Sequence, residues 1–144
     1  MKVIDLGEFV SQPAQINLPV QRILVVEDDK LVRELVVEIL ESSGYDVLAV
    51  DNGVSALHLL ASDTAFDVML TDVEMPNGVS GVQLAQEVRR RLPDLAIILS
   101  TGRSELLGDP VTSPLNLSIL RKPYRIDDLA KAIDDALEGM PKVA

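Results

Sequence analysis

Residues 23–29 read Ile-Leu-Val-Val-Glu-Asp-Asp. Four aliphatic side chains in a row leave no polar face, so the run suits a strand buried on both sides. It then breaks abruptly into acids. A strand covered on both faces needs neighbours of the same kind, and the chain supplies them. Tyr45 to Val50 reads as a second strand. Phe66-Asp67-Val68-Met69-Leu70-Thr71 is a third, running into Asp72. Leu95 to Ser100 is a fourth and Leu117 to Leu120 a fifth.

The segments between these runs change period. From Asp29 to Ser42, apolar residues recur at Val32, Leu35, Val36, Ile39 and Leu40, which is helical spacing, and Gly44 follows as a stop signal. Asn52 to Ser62 reads as a second helix. Residues 81–92 place Leu84, Ala85, Val88 and Leu92 on one face, and Pro93 closes them. Ile126, Leu129, Ala130, Ile133 and Leu137 mark a last amphipathic helix. Regular strand–helix alternation implies an α/β fold, a doubly wound parallel sheet with helices on both faces. One crossover is weak. Arg103 to Asn116 should carry a fourth helix, yet Gly108, Pro110 and Pro114 leave room only for a short one before Gly108. Residues 1–20 read as an N-terminal extension, 21–139 as the domain and 140–144 as a tail. Nothing resembling an output domain is expected after the last helix.

Composition agrees and excludes other classes. The chain has 144 residues, 47% hydrophobic but only 3% aromatic, without tryptophan, so the core must be aliphatic. The net charge of −10 repels nucleic acid, and direct nucleic-acid binding is not expected. The one dense basic stretch, Arg89 to Arg91, reads as a solvated helix end whose cations suit the C-terminal dipole. Without cysteine there are neither disulfides nor thiolate metal sites. No signal peptide or membrane span is visible, so a cytoplasmic location is expected.

In such sheets ligands bind beyond the carboxyl ends of the strands, where the strand order reverses. The polar residues at those ends are therefore the candidate site: Glu27 and Asp28 after the first strand, Asp72 after the third, Ser100 and Thr101 after the fourth, and Lys122-Pro123 after the fifth. Asp51 ends the second strand, which should lie at the edge. Crowded carboxylates raise one another's pKa or demand a cation, and an all-oxygen set without His or Cys suits Mg²⁺. A carboxylate, a lysine and a hydroxyl around such an ion suit phosphoryl transfer, with Asp72 as nucleophile. Asp29 reads as a helix cap, Asp127 and Asp128 as first-turn acids of the last helix, and His58 as a surface residue.

Residues 23–29, Leu-Thr-Asp-Val-Glu-Met-Pro (70–76), Ser-Thr-Gly (100–102) and Arg-Lys-Pro-Tyr (121–124) together resemble the four signatures of response-regulator receiver domains. The resemblance covers roughly residues 21–139. It implies strand order 2-1-3-4-5, with Asp72 as phosphoacceptor and Asp28 as a direct Mg²⁺ ligand. Glu27 would act largely through a bound water, and the Glu74 backbone carbonyl would complete the protein ligands. Thr101 would be the switch hydroxyl, Lys122 the partner of acceptor or phosphoryl oxygen, and Pro123 a cis proline. The phosphoryl donor would be a histidine kinase or histidine phosphotransfer protein. Output would pass by contact with a further protein around strands four and five, and a homodimer through that face is left open. The chain would catalyse only its own phosphorylation and dephosphorylation.

Three departures stand out. Ile119 occupies the position, three residues before the lysine, where the family usually has an aromatic switch residue. The loop after Asp72 looks one residue longer than the common form. The crossover between strands four and five is remodelled. Ile119 and the remodelled crossover motivate a rival reading, a binding module of receiver fold that no longer depends on phosphate. An aspartyl-phosphate phosphatase is a third, because Glu74 sits two residues after Asp72, where such enzymes place an acid/base. Otherwise Glu74 is expected at the exposed rim, crowding the water that would hydrolyse an aspartyl phosphate.

Overall fold

In the computed structural model, residues 20–75, 78–103 and 115–138 are described. The N-terminal extension to residue 19, Pro76 and Asn77 of the loop after Asp72, residues 104–114 and the tail lie outside them. The short helix expected before Gly108 therefore falls outside the described residues.

Five strands form one parallel sheet: β1 (Arg22–Val26), β2 (Asp46–Val50), β3 (Val68–Asp72), β4 (Ala96–Thr101) and β5 (Ser118–Arg121). Their spatial order is β2-β1-β3-β4-β5, as the resemblance implied. The helices among the described residues are α1 (Lys30–Ser42), α2 (Gly53–Ser62), α3 (Gly81–Arg91) and α4 (Ile126–Leu137).

The aliphatic runs divide their side chains between two layers, because successive residues of a strand point to opposite faces. Leu24, Val26, Met69, Ile97 and Leu99 pack with Leu84 and Val88 of α3 and Ala56 and Leu60 of α2. Ile23, Val25, Val68, Leu70 and Ile98 pack with Val36 and Leu40 of α1 and Leu129 and Ile133 of α4. Each fully buried Leu, Ile or Val contributes about 1.5–3 kcal/mol of transfer free energy, so the two aliphatic layers dominate stability.

Helix ends are set locally. Asp29 caps α1 by accepting from the Leu31 and Val32 amides, and Asn52 caps α2 by accepting from Ser55 N at 2.8 Å. Gly44, at φ +96°, takes the left-handed turn into β2. Ser80 and Gln83 exchange side-chain-to-backbone bonds in a capping box that starts α3. Asp127 and Asp128 lie in the first turn of α4, where Asp128 accepts from Arg125 N. His58 is exposed.

At the amino ends of the strands two arginines close the structure. Arg22 forks onto Asp63, with bonds of 3.0 and 3.1 Å, and also donates to Asp46 and to the Ala65 carbonyl. Its guanidinium lies 4.4 Å from the centre of the Phe66 ring. Arg89 corrects the reading of residues 89–91 as a solvated helix end. Arg90 and Arg91 do pair with Glu87. Arg89 is instead half-buried and donates to the carbonyls of Leu115, Pro93 and Leu95. It ties α3 to the approaches of β4 and β5. No helix among the described residues is long and apolar enough to cross a membrane.

Candidate functional site

The chain leaves β1 for β2 on one side and returns to β3 on the other, so a crevice opens between the carboxyl ends of β1 and β3. Glu27 extends β1 by donating its amide to the Val50 carbonyl. Its side chain turns back to accept from the Asp29 amide at 3.1 Å, and Arg33 of α1 holds its backbone carbonyl at 2.8 Å. Asp28 projects outward and is exposed. Asp72 ends β3, the central strand, whose five residues are all buried. One carboxylate oxygen from each of Glu27, Asp28 and Asp72 lies within 4.8 Å of the others.

Lys122 follows β5 and its amide continues the ladder to the Thr101 carbonyl. Its Nζ donates to Asp72 Oδ1 at 3.1 Å. The Lys122–Pro123 peptide is cis. Thr101 ends β4, fully buried, and its Oγ1 donates to Glu74 Oε2 at 3.1 Å while accepting from Arg103 N at 3.0 Å. The structure therefore gathers Glu27, Asp28, Asp72, Thr101 and Lys122 at neighbouring strand ends. Asp51 lies at the edge strand and is exposed, where it accepts from Asn52.

The start of α3 fixes the backbone at Asp72. Gly81 N donates to Val73 O at 3.0 Å, and Val73 N donates to Ser100 O. A Cβ on Gly81 would collide with the Asp72 carbonyl and meet Val73 Cα at 2.7 Å. Only glycine permits α3 to begin this close to Asp72.

The electrostatics are unbalanced. Three carboxylates face one ammonium. Burial pushes the Glu27 carboxyl up to about 7; the Asp29 amide opposes the rise, and the charge of Asp72 adds to it. Burial also raises Asp72, against the hydrogen bond and charge of Lys122, while Glu74 and Asp28 push it further up. Burial alone would lower Lys122, but its hydrogen bond to Asp72 and the surrounding negative charge leave it raised. Such a set is completed by a hard divalent cation, and the donors fit one: they are all oxygen, they converge, and they carry surplus negative charge.

Two features escaped the sequence. Glu74 is exposed as expected, but its carboxylate holds the Thr101 hydroxyl, a contact set by the loop path and by no motif. Tyr124 packs beside the α1–α4 layer with its phenol in the field of Glu27, and burial raises its pKa; only its place after Lys122-Pro123 hinted at that. Ile119 is partly buried against the α2–α3 layer.

A sequence profile described as response regulator receiver domain matches residues 23–134. The Brucella abortus protein named response regulator receiver protein CpdR is 36% identical over 118 residues, 81% of this chain and 97% of its own length. The DNA-binding transcriptional regulator NtrC of Escherichia coli is 33% identical over 116 residues, 78% of this chain but 24% of its own. Among solved structures, the Thermotoga maritima response regulator TrrA, crystallised with Mg²⁺ and beryllium fluoride, superposes with a TM-score of 0.74 at 34% identity, over 81% of this chain and 99% of TrrA. A CheY-like receiver domain protein from Methanospirillum hungatei gives 0.77 at 25% identity, over 83% of this chain and 95% of that one. Its strand order, its sequence profile and its relatives agree: the chain belongs to the response regulator receiver domain family.

Proposed function

We propose that the chain is a phosphorylation-controlled signalling switch whose acceptor is Asp72. One observation carries the reading: a buried carboxylate at the end of the central strand is held 3.1 Å from a lysine and shares its crevice with two further acids. Members of the family serve phosphorylation-dependent two-component signalling. For this chain the donor would be a phosphohistidine on a histidine kinase or phosphotransfer protein.

Glu27, Asp28, Asp72 and the Glu74 backbone carbonyl would hold Mg²⁺, Glu27 largely through a water. When bound, the ion would neutralise charge on the phosphoryl oxygens. An Asp72 oxygen attacks phosphorus. The phosphorus–nitrogen bond of the donor breaks, its electron pair stays with the imidazole, and a solvent proton completes the leaving group. Lys122 transfers its contact from the carboxylate to a phosphoryl oxygen, and Thr101 supplies a hydroxyl to another. Hydrolysis reverses the state: water attacks phosphorus, the phosphorus–oxygen bond breaks, and the Asp72 carboxylate returns.

An apolar groove of about 480 Å³ opens beside Lys122, lined by Val32, Leu35, Pro123, Tyr124 and Ile126. It supports docking of a donor protein next to the acceptor. The engagement of Glu74 with Thr101 weighs against Glu74 as the free acid/base a phosphatase needs. Output would pass by protein contact.

Incubation with acetyl phosphate and Mg²⁺, followed by intact-mass analysis, tests the reading. The expected result is one phosphoryl adduct, absent in Asp72→Asn and absent when EDTA replaces Mg²⁺. An adduct that persists in Asp72→Asn, or none with any donor, would overturn it.

A further inference from the structure

The Thr101 hydroxyl is already spoken for. It has one proton, and that proton is directed at Glu74 Oε2, 3.1 Å away. The same oxygen accepts from the Arg103 amide at 3.0 Å. A hydroxyl donates one hydrogen bond, so Thr101 cannot serve a phosphoryl oxygen and Glu74 together. We propose that the Glu74 carboxylate is a latch that holds the Thr101 hydroxyl away from the acceptor until the phosphoryl group arrives and springs it. The proposal rests on Asp72 being that acceptor.

The two ends of the bond differ in freedom. Thr101 is fully buried at the end of β4, with its backbone carbonyl bonded to Lys122 N. Glu74 is exposed, in the segment after β3. It lines an open depression of about 650 Å³ with Met75, Ser80 and Val82. When the bond breaks, Glu74 moves into water and open space, where a carboxylate is well solvated. The Thr101 side chain then needs only to turn.

Charge supplies the trigger. Glu74 follows Asp72 by two residues, and its carboxylate is bonded to Thr101, next to the Ser100 that pairs with Asp72 across the sheet. A phosphoryl group on Asp72 adds about 1.5–2 negative charges at that place. It repels Glu74 and offers Thr101 a more strongly charged acceptor. The same event weakens the old bond and provides the new one. Glu74 is thus a positioning residue that acts through Thr101 and sets the threshold of the switch.

Fluoroberyllate with Mg²⁺, which stands in for a phosphoryl group on an aspartate, tests this in the full chain. Glu74→Ala and Glu74→Asp both remove the bond, the second while keeping the charge. Loss of one competing hydrogen bond predicts about two- to tenfold tighter fluoroberyllate binding in both. In a Thr101→Val background, Glu74→Ala should keep only the part of the gain that comes from charge, so the two substitutions should be non-additive, because the latch has no hydroxyl to hold. A second readout needs no Thr101 variant. In the metal-free protein, the Thr101 methyl resonances of Glu74→Ala should move toward their positions in the fluoroberyllate-bound wild type. Tightening in Glu74→Ala but not in Glu74→Asp would assign the effect to charge alone and overturn the latch. So would equal affinities with unmoved resonances. A wild-type chain that binds no fluoroberyllate would instead overturn the reading of Asp72, and the latch with it.

Discussion

The two ends of the sheet handle charge in opposite ways. At the amino ends of the strands, cations meet enough partners. Arg22 is shared among Asp63, Asp46 and the Ala65 carbonyl, and Arg89 among carbonyls that precede β4 and β5. At the carboxyl ends, Glu27, Asp28 and Asp72 converge on one lysine. The first arrangement stabilises the fold by itself. The second is electrostatically incomplete, and burial worsens it by raising both Glu27 and Asp72. One strand framework therefore serves two purposes, closure at one end and readiness for a ligand at the other.

The contrast can be attacked from either end. The largest effect is expected from Gly81→Ala. The added Cβ meets the Asp72 carbonyl, and relief requires moving the start of α3 or the end of β3. Chemical denaturation should show a loss of about 3–4 kcal/mol. A near-neutral variant would mean that the acceptor end is softer than its packing implies.

Arg89→Ala should follow, at about 3 kcal/mol, because it strips charge-assisted donors from several carbonyls at once. Phosphoacceptance at Asp72 by the folded fraction should stay near wild type. If the rate of acetyl phosphate labelling fell sharply in folded protein, the two ends would be coupled and the division drawn here would be wrong.

Glu27→Gln probes the opposite end and should have the opposite sign. The Glu27 carboxyl sits at about 7 in the folded chain, above its ordinary 4.5. The folded state thus binds this proton more tightly than the unfolded state does. That contribution is complete below about pH 4.5 and is lost as pH rises through about 7. Without metal, Glu27→Gln should therefore stabilise the protein by about 2 kcal/mol at alkaline pH and by almost nothing near pH ~4. Urea midpoints at the two pH values would show it, and a destabilised variant at alkaline pH would refute the unbalanced site.

The smallest effect concerns Mg²⁺ itself. On the proposed reading the ion would face Glu27 as a carboxylate, so binding should displace its proton and apparent affinity should rise by about tenfold per pH unit below about pH 7 and level off above it. Calorimetric titration across that range would measure the slope, and a pH-independent affinity would place the ion away from Glu27.

Much of this was legible in the chain. Ile23 to Val26 and Val68 to Leu70 have no polar face, so their burial on both sides followed from composition alone. The residues that end those runs marked the crevice, and their order along the chain carried the family resemblance. Asp29 and Asn52 announced two helix starts through local hydrogen-bonding chemistry. Less legible were contacts between loops and distant backbone. Arg89 looks like Arg90 and Arg91 in sequence; only the return of the chain at Leu115 separates it from them. Glu74 reads as a rim acid because nothing local says that Thr101, 27 positions later, lies under it. The height of the Glu27 pKa depends on burial by elements remote in sequence. Motifs report which atoms are supplied, and tertiary packing decides what each atom is left facing.

Asp72 stands at the end of a strand with neighbours on both sides, layers above and below, and the first turn of α3 pressed on its carbonyl. It has no slack with which to reach outward. On the proposed reading the chain is an anvil: the travel needed to bring phosphorus within bonding range would fall to whatever delivers it, and a donor that cannot lower its cargo into the crevice would be refused however well it adheres elsewhere.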